Sequence, residues 1–298
     1  MLKERLNMDK SITLNKAKVT VVGAGLMGGS ILKSLAGSPN RPAKITALEI
    51  DEAVLKKIQD LSLADVATSD TESALKEADF VIISLYPAQT IKFIAQNIKY
   101  IKAGCVVTDI CGVKREVMDA VGGLIPETIA YVGGHPMAGR EHKGFDYSVD
   151  NLFTNCRYII DSSAEDGKEL VVEFAKTLGA GKIVESSAEN HDEMIAYTSQ
   201  LPHVLAVAYM LCASDRSVEE FSAGSFRDVT RVAMINDEMW SELFCENKDK
   251  LTGEIAALRK GLEELEESIR NCDIDKLRKK MKQAAQMREK VTELQLNK

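Results

Sequence analysis

Short apolar segments alternate with helical patterns along the first 187 residues of the chain. The apolar segments, which we interpret as strands, are 17–23, 43–51, 79–85, 104–110, 129–134, 156–161 and 181–186. Strands that alternate with helices predict a mostly parallel sheet covered by helices on both faces. We therefore predict that the chain begins with a doubly wound α/β domain over residues 1–187.

The pattern changes near residue 187, where the strand signal stops. Residues 188–213 are interpreted as one long helix that is apolar almost all round, so we expect it to be buried. Apolar residues recur in steps of four and three from Leu251 to Ile269, and a second helix is predicted from about Leu277 to Leu294. These helices predict an antiparallel hairpin that closes a bundle or serves a subunit interface. An all-helical domain is thus predicted over 188–298.

Composition excludes several classes of function. With 38 basic and 45 acidic residues the net charge is −7, so no nucleic-acid partner is expected. The chain lacks an apolar run long enough for a membrane span and starts with a polar segment, so neither a membrane partner nor a secretory signal is expected. Its six cysteines show no CxxC spacing, which predicts reduced thiols and a cytoplasmic location.

A glycine motif follows the first predicted strand and opens the first predicted helix. Gly23, Gly25 and Gly28 have the G-x-G-x-x-G spacing that gives a tight turn, room for a pyrophosphate and close helix–strand packing. Glu49 ends the second strand, where its carboxylate would accept the ribose hydroxyls and repel a 2′-phosphate. The motif predicts a Rossmann-type domain that binds NAD rather than NADP.

Other candidate cofactor contacts lie at the carboxyl ends of strands, the edge where ligands bind in open parallel sheets. For Ser84 and Tyr86, a contact with the cofactor and ordinary loop packing are equally good interpretations. The remaining cofactor candidates are Leu26, Met27, Asp109 and Cys111.

His135 follows the strand at 129–134, on the same edge as the glycine loop. A dehydrogenase that oxidises an alcohol needs a base for the hydroxyl proton, and histidine suits that work near neutral pH. The sequence therefore predicts an imidazole beside the nicotinamide. The alternative is a histidine that is merely hydrogen-bonded in a turn.

Two further histidines fall on the predicted long helix. At about 100° per residue, His191 and His203 lie about 120° apart around the axis, so no shared metal site is expected. We interpret His191 as a cap or anchor of the helix start beside Asp192, and His203 as the better ligand candidate. Pro202 interrupts the helical hydrogen bonding and predicts a kink that shapes a pocket.

Arg227 and Arg231 are spaced to share one helical face. Two guanidinium groups in an acidic protein favour the binding of a carboxylate. Surface salt bridges with Asp228 and Glu238 are the alternative interpretation.

Taken together, five motifs resemble the prephenate/arogenate dehydrogenase family of tyrosine biosynthesis. They are VVGAGLMGGS, TDICGVK, GGHPMAGRE, HDEMIAYTSQLPH and GSFRDVTRVAMINDEMW, in family order. The resemblance implies a dinucleotide domain, a helical dimerisation domain and an NAD-dependent oxidative decarboxylation. Prephenate would give 4-hydroxyphenylpyruvate; arogenate, the alternative substrate, would give tyrosine directly.

The resemblance also implies roles for individual residues. His135 would hydrogen-bond the substrate 4-hydroxyl, His203 would face the substrate pocket, and Arg231 would bind a substrate carboxylate. Glu141 would be a gating or substrate-contacting acid. The other residues implied to line the pocket, some of them from a partner subunit, are Gly224, Arg227, Asp228 and Trp240.

The chain departs from the family pattern at three positions. Gly112 replaces a serine that helps to orient the catalytic histidine, so water, Cys111 or another hydroxyl would have to substitute. Gln200 replaces a frequent histidine. At a position of the F-K-D-F-T-R motif that holds lysine or arginine, this chain has Arg227, the longer, forked donor. Because the chain ends soon after the helical domain, we expect any feedback inhibition to act at the active site.

Two other classes of function fit the sequence less well. A β-hydroxyacid dehydrogenase needs a catalytic lysine on the long helix, but the segment 188–213 contains none. A non-enzymatic NAD sensor that dimerises through its helices would leave His135, His203 and Arg231 without a task. The resemblance therefore remains the favoured interpretation, and it implies a homodimeric prephenate dehydrogenase, which we expect to be cytoplasmic and without a metal.

Overall fold

A computed structural model describes residues 12–140, 142–212 and 218–296. The chain forms two compact units, one that ends at Lys248 and one that starts at Asp249. Glu141, which the sequence analysis placed at the substrate pocket, lies outside the described residues.

In the described part of the first unit, eight strands form a single sheet in the order β3-β2-β1-β4-β5-β6-β7-β8. The strands are β1 Lys18–Val22, β2 Lys44–Leu48, β3 Val66–Thr68, β4 Phe80–Ile83, β5 Val106–Asp109, β6 Ala130–Pro136, β7 Arg157–Asp161 and β8 Lys182–Ser186. Neighbouring strands are parallel except for the pair β6–β7. The order of the first six strands is that of a Rossmann fold, which confirms the predicted fold class.

Helices connect these strands and continue after the sheet. They are α1 Leu26–Ala36, α2 Glu52–Asp60, α3 Thr71–Leu75, α4 Pro87–Asn97, α5 Arg115–Gly122, α6 Lys168–Thr177, α7 Ala188–Ile195, α8 Leu201–Leu211, α9 Gly224–Thr230, α10 Asp237–Glu246, α11 Lys248–Arg270 and α12 Ile274–Leu296. A π-helical segment, Ala196–Gln200, joins α7 to α8. Within the described ranges, no helix has the length and apolar content that a bilayer crossing needs.

The apolar core lies on both faces of the sheet. Alternate residues of the central strand β4 point to opposite faces: Phe80 and Ile82 pack in one cluster, and Val81 and Ile83 in the other. All four side chains are fully buried. This two-sided burial explains why the strands appear in the sequence as continuous apolar runs.

The parallel strands bring separate parts of the sequence to one edge of the sheet. The carboxyl ends of β1, β4, β5 and β6 lie at this edge, because the pairs β1–β4, β4–β5 and β5–β6 are all parallel. The strand order reverses between β1 and β4, and such a switch point forms a crevice for a ligand.

The predicted long helix is present as α7, the π-helical segment and α8, but it is not buried as expected. Tyr197 is 58% exposed, Tyr209 is 48% exposed and Leu211 is 78% exposed. The apolar character of this helix is therefore not explained by packing within one chain. It leaves an apolar surface in the first unit.

The second unit contains the predicted helical hairpin. Helices α11 and α12 are joined at a turn in which Cys272 has a positive φ of 51°. Lys280 on α12 pairs with Glu264 on α11 at 2.5 Å, which is the contact expected of antiparallel helices.

The glycine motif yields a prediction about stability. A Cβ on Gly28 would lie 1.9 Å from the carbonyl oxygen of Gly23, whereas a Cβ on Gly25 would meet nothing within 4 Å. Because helix α1 packs on that backbone, Gly28→Ala is expected to lower the melting temperature by about 5 °C or more. Gly25→Ala is the matched control and should have the same melting temperature as the wild type, measured by calorimetry. Equal melting of both variants would contradict this packing role.

Candidate active site

A cavity of about 630 Å³ lies at the carboxyl edge of the sheet in the first unit. Its walls come from the loops after β1, β4, β5 and β6 and from α8, α10 and the segment between α9 and α10. Of the predicted site residues, those that line it are Gly25, Leu26, Met27, Ser84, Tyr86, Cys111, Gly112, His135, His203, Arg231 and Trp240.

The glycine loop opens the cavity at the start of α1. Gly23 has a φ of +80°, and a Cβ there would lie 2.7 Å from the carbonyl oxygen of Ser84. Gly25 caps the helix, and the space where its side chain would be is open. The first amides of a helix lack partners within the helix and favour an anion. The loop therefore offers a cradle of the shape that a pyrophosphate needs.

Glu49 lies behind this loop rather than in the cavity wall. Its Oε2 accepts a hydrogen bond from the amide of Ala24 at 2.7 Å, and its Oε1 accepts from the amides of Ile50 and Asp51 at 2.7 and 3.0 Å. The carboxylate thus fixes the glycine loop to the end of β2. Oε2 keeps a second lone pair for a further donor, whereas Oε1 already accepts two hydrogen bonds.

Asp109 also lies outside the cavity wall, in a buried polar network. The carboxylate pairs with the Lys114 ammonium at 2.5 Å and accepts from the Tyr131 hydroxyl at 2.6 Å. The amide of Cys111 donates to it at 2.8 Å. Asp109 thus shapes the loop after β5, of which Ile110, Cys111 and Gly112 line the cavity.

The Cys111 thiol is not a reactive nucleophile. Burial raises its pKa well above the ordinary range, and the neighbouring Asp109 carboxylate acts in the same direction. Its sulfur contacts the Thr90 hydroxyl at 3.5 Å. Cys111 was one of the groups expected to orient His135 in place of the family serine, but these contacts tie it to the start of α4.

His135 lies at the end of β6, in the cavity wall. Its Nδ1 is 2.8 Å from Nε2 of His191, and Nδ1 of His191 is 2.7 Å from the carboxylate of Asp192. A Cβ on Gly112 would lie 3.9 Å from Nε2 of His135, so the position of the missing family serine adjoins that nitrogen. The partner of His135 is therefore an imidazole on α7.

Sequence reasoning missed this role of His191. Ser187 caps α7 by accepting from the amide of Asn190 at 3.3 Å, so His191 is not the cap. His191 is instead 2% exposed and packs its ring edge-on against His135, with centroids 5.1 Å apart. The adjacent His191 and Asp192 near a helix start were the only sign in the sequence. That they lie beside β6 follows from the fold.

His203 and Trp240 form a stacked pair in the cavity wall. Their rings are 3.8 Å apart and inclined by 27°. Nδ1 of His203 is 2.7 Å from the carbonyl oxygen of Ser199, inside the π-helical segment. The widened turn before Pro202 thus supplies a carbonyl that holds the imidazole against the indole.

Arg231 lines the cavity from a short 3-10 turn, Arg231–Ala233. Helix α9 ends at Thr230, so the regular helical face predicted for Arg227 and Arg231 is broken between them. The predicted site residues that are exposed and do not line this cavity are Gly224, Arg227 and Asp228.

Every formally charged side chain in the described cavity wall is cationic. Besides Arg231, the loop after β6 contributes Arg140 and Lys143, which the sequence analysis did not assign. In a chain of net charge −7, this local excess of positive charge favours an anionic ligand. Within the described residues, no group of three or more His, Cys, Asp and Glu side chains is placed to hold a metal ion.

Comparison with known proteins identifies the family. Residues 39–184 match the family model of the prephenate dehydrogenase nucleotide-binding domain, and residues 187–283 match that of the prephenate dehydrogenase dimerization domain. The chain belongs to the prephenate dehydrogenase family. Its membership confirms the resemblance seen in the sequence motifs, and with it an oxidoreductase that uses NAD.

Individual relatives cover most of the chain. Prephenate dehydrogenase of Bacillus subtilis (strain 168) is 31% identical over 276 residues, which are 89% of this chain and 71% of that protein. Cyclohexadienyl dehydrogenase of Zymomonas mobilis is 29% identical over 91% of this chain and 94% of its own. The crystal structure of A. aeolicus prephenate dehydrogenase, in complex with hydroxyphenyl propionate and NAD+, has a TM-score of 0.82 at 29% identity and covers 95% of this chain and 99% of its own.

The two paired histidines predict a dependence of stability on pH. Burial holds the pKa of His135 well below its ordinary value, and the neighbouring His191 and Lys114 add to this; burial also lowers the pKa of His191. The native protein therefore binds fewer protons here than the unfolded chain, and stability is lost as the pH falls through the ordinary histidine range. Glu246 acts in the opposite direction, because burial and Glu242 raise its pKa to about 8.

We expect a comparison with His135→Asn to isolate the histidine. Between about pH 7.5 and 5.5, the wild-type free energy of unfolding should fall by about 1 kcal/mol more than that of the variant. Urea unfolding followed by circular dichroism at each pH measures both curves, and the contribution of Glu246 is common to them. Parallel curves would contradict a neutral His135 in the native state.

Proposed function

We propose that this protein oxidises prephenate with NAD and releases 4-hydroxyphenylpyruvate and CO₂. The observation that carries the proposal is one cavity that joins the glycine loop, the His135 imidazole and the Arg231 guanidinium. A dinucleotide, an alcohol and a carboxylate are the three groups that this combination suits.

The residues at the glycine loop fit a dinucleotide. The open space at Gly25 and the start of α1 would hold the pyrophosphate, while Oε2 of Glu49 would accept a ribose hydroxyl. Ser84, Tyr86 and the backbone beside Cys111 would border the remainder of the cofactor. When bound, NAD accepts the hydride that leaves C4 of the substrate.

His135 would act on the substrate 4-hydroxyl. Its Nδ1 is engaged by His191, so Nε2 is the nitrogen that accepts the hydroxyl proton in a hydrogen bond. This bond stabilises the positive charge that develops at C4 as hydride leaves. Loss of the ring carboxylate as CO₂ returns an electron pair and completes the aromatic ring, so the hydroxyl keeps its proton in the product.

Cationic side chains would hold the carboxylates of the substrate. Arg231 is proposed to bind one of them through its planar guanidinium, and His203, stacked on Trp240, would border the ring. Gly112 places no side chain beside Nε2 of His135, and the methyl groups of Leu243 pack against the same position. Glu141 remains a proposed gating acid.

Prephenate is favoured over arogenate by the charge of the cavity. The two substrates differ in a keto group or an amino group on the side chain, and an ammonium needs an acidic partner. Arg140, Lys143 and Arg231 in the described wall are cationic, against the single acid, Glu141, that is proposed at the entrance and lies outside the described residues. Arogenate, the alternative substrate, should therefore react with a higher KM.

We propose that residues 1–187 bind the dinucleotide and that residues 188–298 bind substrate and form a homodimer. The exposed apolar surface of Tyr197, Tyr209 and Leu211 supports such an interface, since large exposed apolar patches mark contact sites. Gly224, Arg227 and Asp228 would then contact substrate in the partner subunit. The free cysteines support a cytoplasmic location, because thiols stay reduced there.

Replacing the proposed acceptor tests the reaction. With prephenate and NAD, wild-type protein should produce NADH, and His135→Asn should lower kcat by at least about 100-fold. The dissociation constant of NAD, measured by calorimetry, should stay unchanged because this substitution leaves the glycine loop intact. An inactive wild type, or full turnover by His135→Asn, would reject the proposal.

The proposed carboxylate contact is tested at Arg231. Arg231→Ala should raise the KM for prephenate about 10-fold or more, since a bound carboxylate loses a charge-assisted partner. Arg231→Lys is the matched control and should show a smaller rise, because it keeps the charge but loses the fork. The same KM in all three proteins would assign Arg231 another role.

A further inference from the structure

His191 and Asp192 lie behind His135, on the side away from the cavity. His191 is 2% exposed and Asp192 is 1% exposed, and neither lines the cavity. They form a chain of two hydrogen bonds with His135, of 2.8 and 2.7 Å. A histidine offers one donor and one acceptor when neutral, so such a chain fixes where each proton lies.

The Asp192 carboxylate determines which atom donates in each of these hydrogen bonds. Asp192 accepts from the amides of Lys114 and Arg115 at 2.8 and 2.9 Å. Although burial opposes ionisation, the hydrogen bonds from His191 and these amides hold the pKa of Asp192 below its ordinary value. An ionised carboxylate can only accept, so Nδ1 of His191 must be the donor to it.

The tautomer of His135 then follows. Burial lowers the pKa of His191, so a neutral His191 with its proton on Nδ1 presents a lone pair at Nε2. His135 is neutral as well, because burial and its neighbours lower its pKa. Its Nδ1 must therefore donate to His191, which leaves the lone pair of His135 on Nε2. In water a neutral histidine prefers the opposite tautomer, with the proton on Nε2.

The Lys114 ammonium lies near these two hydrogen bonds without taking part in them. The Lys114 ammonium pairs with Asp109, and its positive charge disfavours protonation of both histidines. Asn247 donates to the carbonyl oxygen of Asp192 at 2.8 Å and so holds the helix in place.

We propose that His191 is a positioning residue that, together with Asp192, sets the tautomer of His135 so that Nε2 accepts the substrate hydroxyl. The inference rests on the proposed function of His135. It also explains how His135 is oriented in a protein that has Gly112 in place of the family serine. His191 orients the imidazole from the side away from the cavity, so no hydroxyl is needed on the cavity side.

The tautomer can be measured without turnover. Long-range ¹H–¹⁵N correlation spectra of the ¹⁵N-labelled full chain distinguish protonated from unprotonated ring nitrogens, and His135→Asn assigns the signals of His135. In the wild type we expect a protonated Nδ1 and an unprotonated Nε2 on His135. A wild-type spectrum with the proton on Nε2 would overturn the proposal, whatever the behaviour of any variant.

Two substitutions of His191 supply the matched comparison. His191→Leu removes the acceptor and should move the proton of His135 to Nε2, with a fall in kcat of at least about tenfold and little change in KM, as expected for a wrong tautomer. His191→Gln keeps an acceptor oxygen and should retain the wild-type tautomer and most of kcat.

The outcomes separate the two proposals. If His191→Leu loses activity while His135 keeps its tautomer, or if His191→Gln loses as much as His191→Leu, the positioning role is rejected. If the tautomer follows His191 as expected but the wild type does not oxidise prephenate, the proposed function fails while the control of the tautomer stands.

Discussion

Asp192 holds the helical part of the first unit against the sheet. Its carboxylate accepts the amides of Lys114 and Arg115, where the loop after β5 enters α5, and it also accepts from His191. Because a buried carboxylate with three donors is satisfied, the contact is stable despite its burial. This carboxylate, together with the hydrogen bond from Asn247 to the Asp192 carbonyl oxygen, holds α7 on this edge, where His191 meets His135.

The cavity wall is positively charged, although the chain as a whole carries a net negative charge. An overall charge of −7 repels anions at long range, whereas the cavity wall gathers Arg140, Lys143 and Arg231. The glycine loop adds the amides at the start of α1, whose partial positive charge has the same sign. A small dianion is therefore attracted only at close range, and the surroundings of the cavity discourage large polyanions.

Local sequence patterns predicted the parts of the site that a strand end or a turn determines by itself. The glycine loop, His135 and Cys111 were predicted because each follows an apolar strand, and such ends meet at one edge. Strand β3, Val66–Thr68, was missed because three partly exposed residues give no apolar run. The long helix was expected to be buried from its apolar composition, which does not indicate that Tyr197, Tyr209 and Leu211 are exposed.

Other parts of the site depend on distant contacts that no local pattern contains. Glu49 and Asp109 lie at strand ends as predicted. Their carboxylates, however, accept hydrogen bonds from nearby amides, and Asp109 also pairs with Lys114, so both residues stabilise loops. The partner of His135 is separated from it by the whole of β7, α6 and β8. Arg140 lies in the motif GGHPMAGRE but was given no role, Lys143 lies in no motif, and only the turn after β6 gives them a place in the wall.

The π-helical segment Ala196–Gln200 has a consequence for how this helix can vary. A π turn contains one more residue than an α turn, so it is equivalent to a single inserted residue within a regular helix. Because the π turn absorbs this extra residue within one rotation, deleting it would restore regular winding and leave α8 in nearly the same rotational phase relative to α7. The extra residue is therefore tied to the Ser199 carbonyl that holds His203, and not to the direction in which α8 faces.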